Sequence, residues 1–429
     1  MSFAEPVTCR ALRSTGRAVA AACVGNMLEW YDFIVYASFA VQISHTFFSG
    51  RSEFASLLAT FITFGVGFFA RPLGAVVFGN YADKAGRPAA LSLTVLLMAL
   101  GTLVIAICPT TAKIGIAAPI VLAFGRLVQG VSAGGEIGGA LALLVECAPA
   151  PRRAFYAAFQ QMAQGGALLL CAVLAIIVNS CFSISQVNEW AWRIPFLFGI
   201  VIAPVGLYVR RQIPETELFV AQTRMAASST PLRAIWTEYW KRLLVGIGVT
   251  VVGTVSTYVV LSMPTFAHVV LKIPQANADA SLIIVGIVTM ACPLSGILAD
   301  RFSRKAVMLC ASTSVVIYAY PAFCYLAGHA TAGSLVVVQT GLAVLLAIYA
   351  GPASALLAEL FPTTVRSTGV ALSYGLSVTI FGGFTPAIIS VLVHYTDNVR
   401  VVGYWLMASA AVSVVSLLAV QDRSRQELT

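Results

Sequence analysis

Glu29 and Asp32 stand three residues apart within GNMLEWYDFIVY (Gly25 to Tyr36), a stretch otherwise apolar enough to cross a bilayer. An acid at that depth is costly against lipid. Facing a hydrated interior, it can bind a proton or a solute. A three-residue helical step turns about 300°, so the two carboxylates share a sector of roughly 60° with Asn26 below and Tyr36 above. The alternative reading of this polar stripe is interhelical glue.

Arginine is the counterpart such acids need. Arg126 lies inside another apolar run, together with Gln129 and Glu136. Counting the helical rise from the outer ends, Asp32 lies ~20 Å below His45 and Arg126 ~18 Å below Ile114, so the two are at matching depth. An Asp beside an Arg in low dielectric stays ionised, and protonating it releases the Arg to seek another anion. That links proton uptake to anion binding, with a purely structural ion pair as the alternative. Arg71 falls about 18 residues below Glu53, level with Glu136 by the same count. Its guanidinium fork suits either a pair with Glu136 or direct contact with a substrate carboxylate. Gln160, Gln164, Tyr258 and Tyr349 supply hydrogen-bonding groups for a carboxylate or hydroxyl. Gln161, rotated about 100° from Gln160, reads as a helix-packing residue.

The elements that must hold these residues are membrane helices. The 429 residues are 59% hydrophobic and only 10% charged, with a mean hydropathy of +0.89, which excludes a soluble globular chain. Apolar runs of about 20 residues recur with short gaps, as in a helical bundle and unlike the alternation of a barrel. They predict helices over 18–45, 54–79, 89–108, 114–146, 154–179, 191–209, 242–268, 278–299, 305–327, 333–359, 366–395 and 400–420. The formal charge of +9 follows topology, not nucleic acid. Placing the N-terminus in the cytoplasm puts about 19 Lys/Arg on cytoplasmic segments and about five outside, so both termini are expected to be cytoplasmic. The basic lead, residues 1–17, precedes an apolar segment too long and too polar at its centre for a cleaved signal. Four histidines near the outer ends and nine cysteines show no ligand spacing, so no enzyme, metal or cofactor chemistry is expected. A disulfide between Cys108 and Cys181, both near the outer face, is left open.

The longest polar gap, 210–241, divides the chain into halves at 18–209 and 242–420, with a tail at 421–429. Two internal repeats support that division. GNYADKAGRP, with Asp83 and Arg87, is echoed about 217 residues later by GILADRFSRK, with Asp300, Arg301 and Arg304. Glu146, Pro149 and Arg153 are matched by Glu359, Pro362 and Arg366 at an offset of about 213. Parallel repeats of this size belong to two-domain alternating-access carriers, and these charged residues become candidate gating groups together with Glu136. The glycines Gly130, Gly134, Gly135, Gly138 and Gly139 lie within a membrane helix, where close packing explains them better than a phosphate loop.

The turn Gly79-x-x-x-Asp83-Lys84-x-Gly86-Arg87 resembles the signature loop of the major facilitator superfamily. GNMLEWYDF, ARPLGAVVFG, RLVQGVSAGGEIGG, EWAWRIPF, AELFPTTVRSTG and IFGGFTPAI resemble its metabolite:proton symporter family over nearly the whole chain. HTFFSGRSEFASL and FGGFTPAI are most similar to citrate and tricarballylate carriers within it. The resemblance implies twelve transmembrane helices in two six-helix halves, an inner-membrane location, function as a monomer in the lipid bilayer, and proton-coupled uptake of a small carboxylate such as citrate. It also implies coupling at Asp32, Glu29 and Arg126. Other metabolites of the same family, 2-oxoglutarate, shikimate, proline or betaine, are the alternative substrates, and a transport-derived sensor is the alternative class. An osmosensing betaine carrier has a long coiled coil, whereas only about nine residues follow Val420, too few for two heptads. Two departures stand out. Pro88 replaces a second basic residue, and Ser303 replaces a Gly, which predicts a looser second turn.

Overall fold

The computed structural model describes residues 7–50, 52–85, 87–146, 148–211, 231–362 and 365–421. The first half contains α1 (Val7–Ser38, continued by Ala40–Phe47), α2 (Glu53–Phe69 and Arg71–Ala85), α3 (Arg87–Ile107), α4 (Ala117–Glu146), α5 (Arg153–Ala157 and Phe159–Cys181) and α6 (Ile194–Arg211). The second contains α7 (Trp240–Val269), α8 (Gln275–Met290 and Cys292–Arg301), α9 (Arg304–Gly328), α10 (Ala332–Glu359), α11 (Arg366–Ser377, a π turn over Val378–Gly382, and Thr385–Thr396) and α12 (Val401–Ala419). This is an all-α membrane protein of twelve spans. Ten described helices are long and apolar enough to cross a bilayer, and Ser92–Ile107 is a shorter apolar one. Helix α1 starts at Val7, earlier than the apolar run alone indicates. A short helix, Pro231–Thr237, lies within the expected linker, whose residues 212–230 are outside the description.

Two breaks have a common cause. Pro72 has no N–H to give the Phe68 carbonyl four residues back, and α2 is interrupted at Ala70. The Thr379 hydroxyl of α11 comes to that carbonyl at 2.8 Å while also reaching Gly375 O at 2.7 Å. The second-half helix thus adds a hydroxyl to a carbonyl beside the break in the first half. Pro293 stands beside the equivalent break of α8 at Ala291.

Glycine sets the spacing of α2 and α4. A Cβ at Gly130 would overlap the Gly67 carbonyl, and one at Gly134 would overlap the Arg71 carbonyl, so the two backbones touch. The halves meet in the same way, since a Cβ at Gly165 on α5 would fall 2.8 Å from Gly286 O on α8. Ser303 has a part of its own in the second turn. Its side chain accepts from Ala306 N at 3.1 Å and caps α9, a task that glycine cannot perform. Cys108 and Cys181 are free thiols, the first buried with its Sγ towards the Ala118 carbonyl and the second exposed.

Candidate functional site

The contact of α2 with α4 brings two buried guanidinium groups around one ring of α1. Arg71 lies 4.9 Å from the centre of Phe33 and 4.8 Å from that of Phe68. Arg126 lies 4.7 Å from Phe33, 4.7 Å from Tyr36 and 4.9 Å from Phe64. Phe33 is therefore shared by both cations, each stabilised by aromatic faces instead of water. Arg126 and Gln129 are 0% exposed and Arg71 1%. Such groups persist in the interior only with partners.

Those partners differ from the ones that depth alone predicts. Asp32 and Arg126 do come together at one level, but through two intermediaries. Arg126 Nη1 donates to Gln129 Oε1 at 2.7 Å, Gln129 Nε2 donates to the Thr102 hydroxyl at 2.9 Å, and that hydroxyl lies 2.5 Å from Asp32 Oδ2 and 2.9 Å from Met98 O. Thr102, on α3, carries no motif and was not among the sequence candidates. Its only sequence signal is a hydroxyl in an apolar run. Because the hydroxyl has one proton, it donates to Asp32 when the acid is ionised. When Asp32 carries the proton, Asp32 donates to Thr102 Oγ1 and Thr102 turns to Met98 O. Both states are satisfied with the same heavy-atom positions.

Arg71 pairs with Glu29, its Nη2 donating to Oε1 at 2.9 Å, a partner that the depth count does not single out. Counting residues fixes height along the bilayer and leaves rotation about the helix axis undetermined. Asn26 donates to Gln160 O at 2.7 Å, and Tyr36 donates to Thr60 O at 3.1 Å, so both polar tips of the α1 stripe bind backbone.

The central cavity lies between the halves. Trp30, Gln160, Gln161, Gln164, Thr254, Thr257, Tyr258, Tyr349, Ser354 and Tyr374 supply its polar and aromatic lining. The sequence candidates Gln160, Gln164, Tyr258 and Tyr349 are among the lining residues. Gln161 corrects its reading as a packing residue, because it also faces the cavity. Tyr349 donates to Val249 O. Asn26, Tyr36, Arg71, Arg126 and Gln129 are not lining residues. They form a layer behind Trp30 and Tyr258, whose ring is 5.3 Å from Phe68 and 5.9 Å from Phe64. Asp32 borders a separate cleft with Glu29, Val95, Met98 and Gly199. No described residue lining the central cavity is charged.

The halves make contacts at both ends of the molecule. At one end, the backbone N–H groups of Ala154 and Phe155, opening α5, donate to Asp300 at 3.0 and 2.9 Å. A carboxylate is well placed at a helix start, where N–H groups are unused and the dipole is positive. Arg304 holds Asp300 at 3.0 Å and also binds Glu359, which lies 3.7 Å from Arg153 of the first half. Four predicted gating residues thus meet. Arg366 donates to Ala358 O at 3.1 Å nearby. Arg301 is exposed and does not join them, lying near the Phe302 ring. The side chains of Asp83, Arg87, Glu136 and Glu146 lie outside the described residues. At the other end, Asn179 of α5 donates to Asp279 of α8 at 3.1 Å, the Thr265 hydroxyl donates to Ala37 O at 3.2 Å, and the His394 ring stacks on Phe54 at 3.7 Å.

Comparison with known proteins agrees with this architecture. The profile of the Sugar (and other) transporter family matches residues 18–230 and 220–420. The chain is 35% identical over 405 residues to the citrate-proton symporter of Klebsiella pneumoniae, covering 93% of this chain and 90% of that one. It is 30% identical over 427 residues to the proline/betaine transporter of Escherichia coli strain K12, covering 96% and 84%. Its fold superposes on the major facilitator superfamily proton:xylose symporter XylE bound to 6-bromo-6-deoxy-D-glucose with a TM-score of 0.81. That alignment covers 97% of this chain and 98% of the other at 16% identity, and so bears on fold alone.

Proposed function

The chain belongs to the Sugar (and other) transporter family, among the metabolite:proton symporters of the major facilitator superfamily, and from that membership we propose that it drives uptake of a small carboxylate, citrate or a related tricarboxylate, with protons by alternating access. The observation that carries the proposal is the chain from Arg126 through Gln129 and Thr102 to Asp32, a buried acid whose protonation alters the electrostatic balance around a buried cation. In this reading Asp32 is the proton carrier, Arg126 its counter-charge, and Gln160, Gln164, Tyr258 and Tyr349 seat the substrate. Asp300, Arg304, Glu359 and Arg153 latch the cytoplasmic end. The chain works as a monomer in the inner membrane with both termini in the cytoplasm.

The uncharged aromatic lining favours a second reading. Trp30, Tyr258, Tyr349 and Tyr374 suit a zwitterion whose cationic end meets aromatic faces, as with betaine. A competition panel in proteoliposomes separates the two. Citrate and tricarballylate should inhibit labelled-citrate uptake while proline and betaine do not. Proline- or betaine-selective uptake would replace the tricarboxylate assignment and leave the symporter reading in place.

A further inference from the structure

The Glu29–Arg71 bridge has no part in the coupling chain above, and its surroundings differ from those of a completed ion pair. Only Nη2 of Arg71 meets Glu29, while Nε and Nη1, both buried, have no hydrogen-bond partner. The buried Tyr258 hydroxyl has none either. The Tyr374 hydroxyl lies beside Arg71 and within electrostatic reach of Glu29. Tyr258 and Tyr374 both line the central cavity, so they stand between it and the guanidinium. Buried donors without acceptors are uncommon in native proteins, and here they converge on one place. The helices that carry them are irregular at that level. The second segment of α2 begins at Arg71, and α11 enters its π turn at Val378, shortly after Tyr374.

We propose that Arg71, Tyr258 and Tyr374 form the receptor for one carboxylate of the substrate, and that Glu29 occupies it as a resident anion until a proton releases it. The inference rests on the carboxylate-symport reading and answers a difficulty in it, because a polyanion in a cavity with no charged lining needs a cation within reach. The entering carboxylate binds the unused edge of Arg71 and the two hydroxyls. Glu29 takes a proton on the oxygen that loses Arg71. The pair Arg⁺·Glu⁻ becomes Arg⁺·substrate carboxylate with neutral Glu29, so one proton enters with the carboxylate seated there and the net charge of that receptor is unchanged. Among the described residues, the charged and titratable groups around Glu29 include Arg71 from α2, Arg126 across Phe33 from α4, Tyr258 from α7, Tyr374 from α11 and Asp32 on its own helix. Among the described residues, α3 and α6 bring Val95, Met98, Ala99, Gly199 and Ala203, none titratable.

The test is proton uptake on substrate binding, followed with a pH indicator in weakly buffered solution of the purified full chain, with citrate, tricarballylate and 2-oxoglutarate as probes. Glu29→Gln should lower uptake by about one proton per molecule bound, with affinity held or tightened because no resident anion competes. Tyr374→Phe leaves the ion pair in place and should weaken binding about tenfold with uptake per bound molecule unchanged. Undiminished proton uptake in E29Q, or unchanged affinity in Y374F, would overturn this inference alone. A wild-type protein that binds none of the three acids would overturn the carboxylate reading together with it.

Discussion

Thr102 allows Asp32 to change protonation state without a change of shape. Asn at position 32 can still accept from the Thr102 hydroxyl, but it cannot carry a proton across. Asp32→Asn should therefore abolish uphill accumulation driven by a proton gradient and retain substrate exchange. Undiminished accumulation would move the coupling site elsewhere. Thr102→Ala removes the group that joins Gln129 to Asp32 and leaves two buried polar atoms without their partner, at about 1–3 kcal/mol each. It should lower the accumulation ratio, and Thr102→Ser should restore it because the hydroxyl returns. Failure of Ser to rescue would assign Thr102 a packing role. Of these residues, the sequence points to Asp32, Arg126 and Gln129, since each is a polar group in an apolar run. Thr102 gives no such signal because a threonine is easily accommodated in a membrane helix by bonding to its own backbone, as Thr63 does to Ala59 O.

At the element scale, the contacts at the two ends of the cavity differ in kind. The end held by Asp300 uses a carboxylate on the first N–H groups of α5, backed by Arg304, Glu359 and Arg153, whereas the opposite end uses amide, hydroxyl and ring contacts. Asp300→Asn keeps the size and loses the charge that answers the helix dipole. It should slow the transport cycle several-fold with little change in substrate affinity, because the contact lies far from the cavity and stabilises one state. Steady-state uptake compared with equilibrium binding checks this, and a large affinity loss with normal turnover would contradict it. The apolar runs mark the twelve spans because a bilayer demands about 20 apolar residues in each. The same pattern is silent on rotation: depth gives no sign that α2 turns Arg71 to Glu29, and the 100° offset that marks Gln161 as a packing residue does not show that α5 turns it to the cavity. It is also silent on the break at Ala70, where Pro72 gives a warning and the answering hydroxyl lies 311 residues away in sequence.

Two six-helix halves touch at both ends of an uncharged cavity, and the buried arginines of the first half sit behind its wall. Transport on this plan needs the end contacts to break alternately while the cations gain and lose their anions. The basic loop asymmetry predicts the orientation. A reporter fused after Thr429 should be cytoplasmic and one placed within 180–189 external, and the reverse assignment would overturn the directional account. The account as a whole depends on proton-driven concentration of a carboxylate. The decisive measurement is the internal concentration of labelled citrate or tricarballylate in proteoliposomes that are alkaline inside and acidic outside. The account predicts accumulation above the external concentration that collapses when a protonophore is added. Entry that stops at equal concentrations, or accumulation that persists with the proton gradient dissipated, would contradict it.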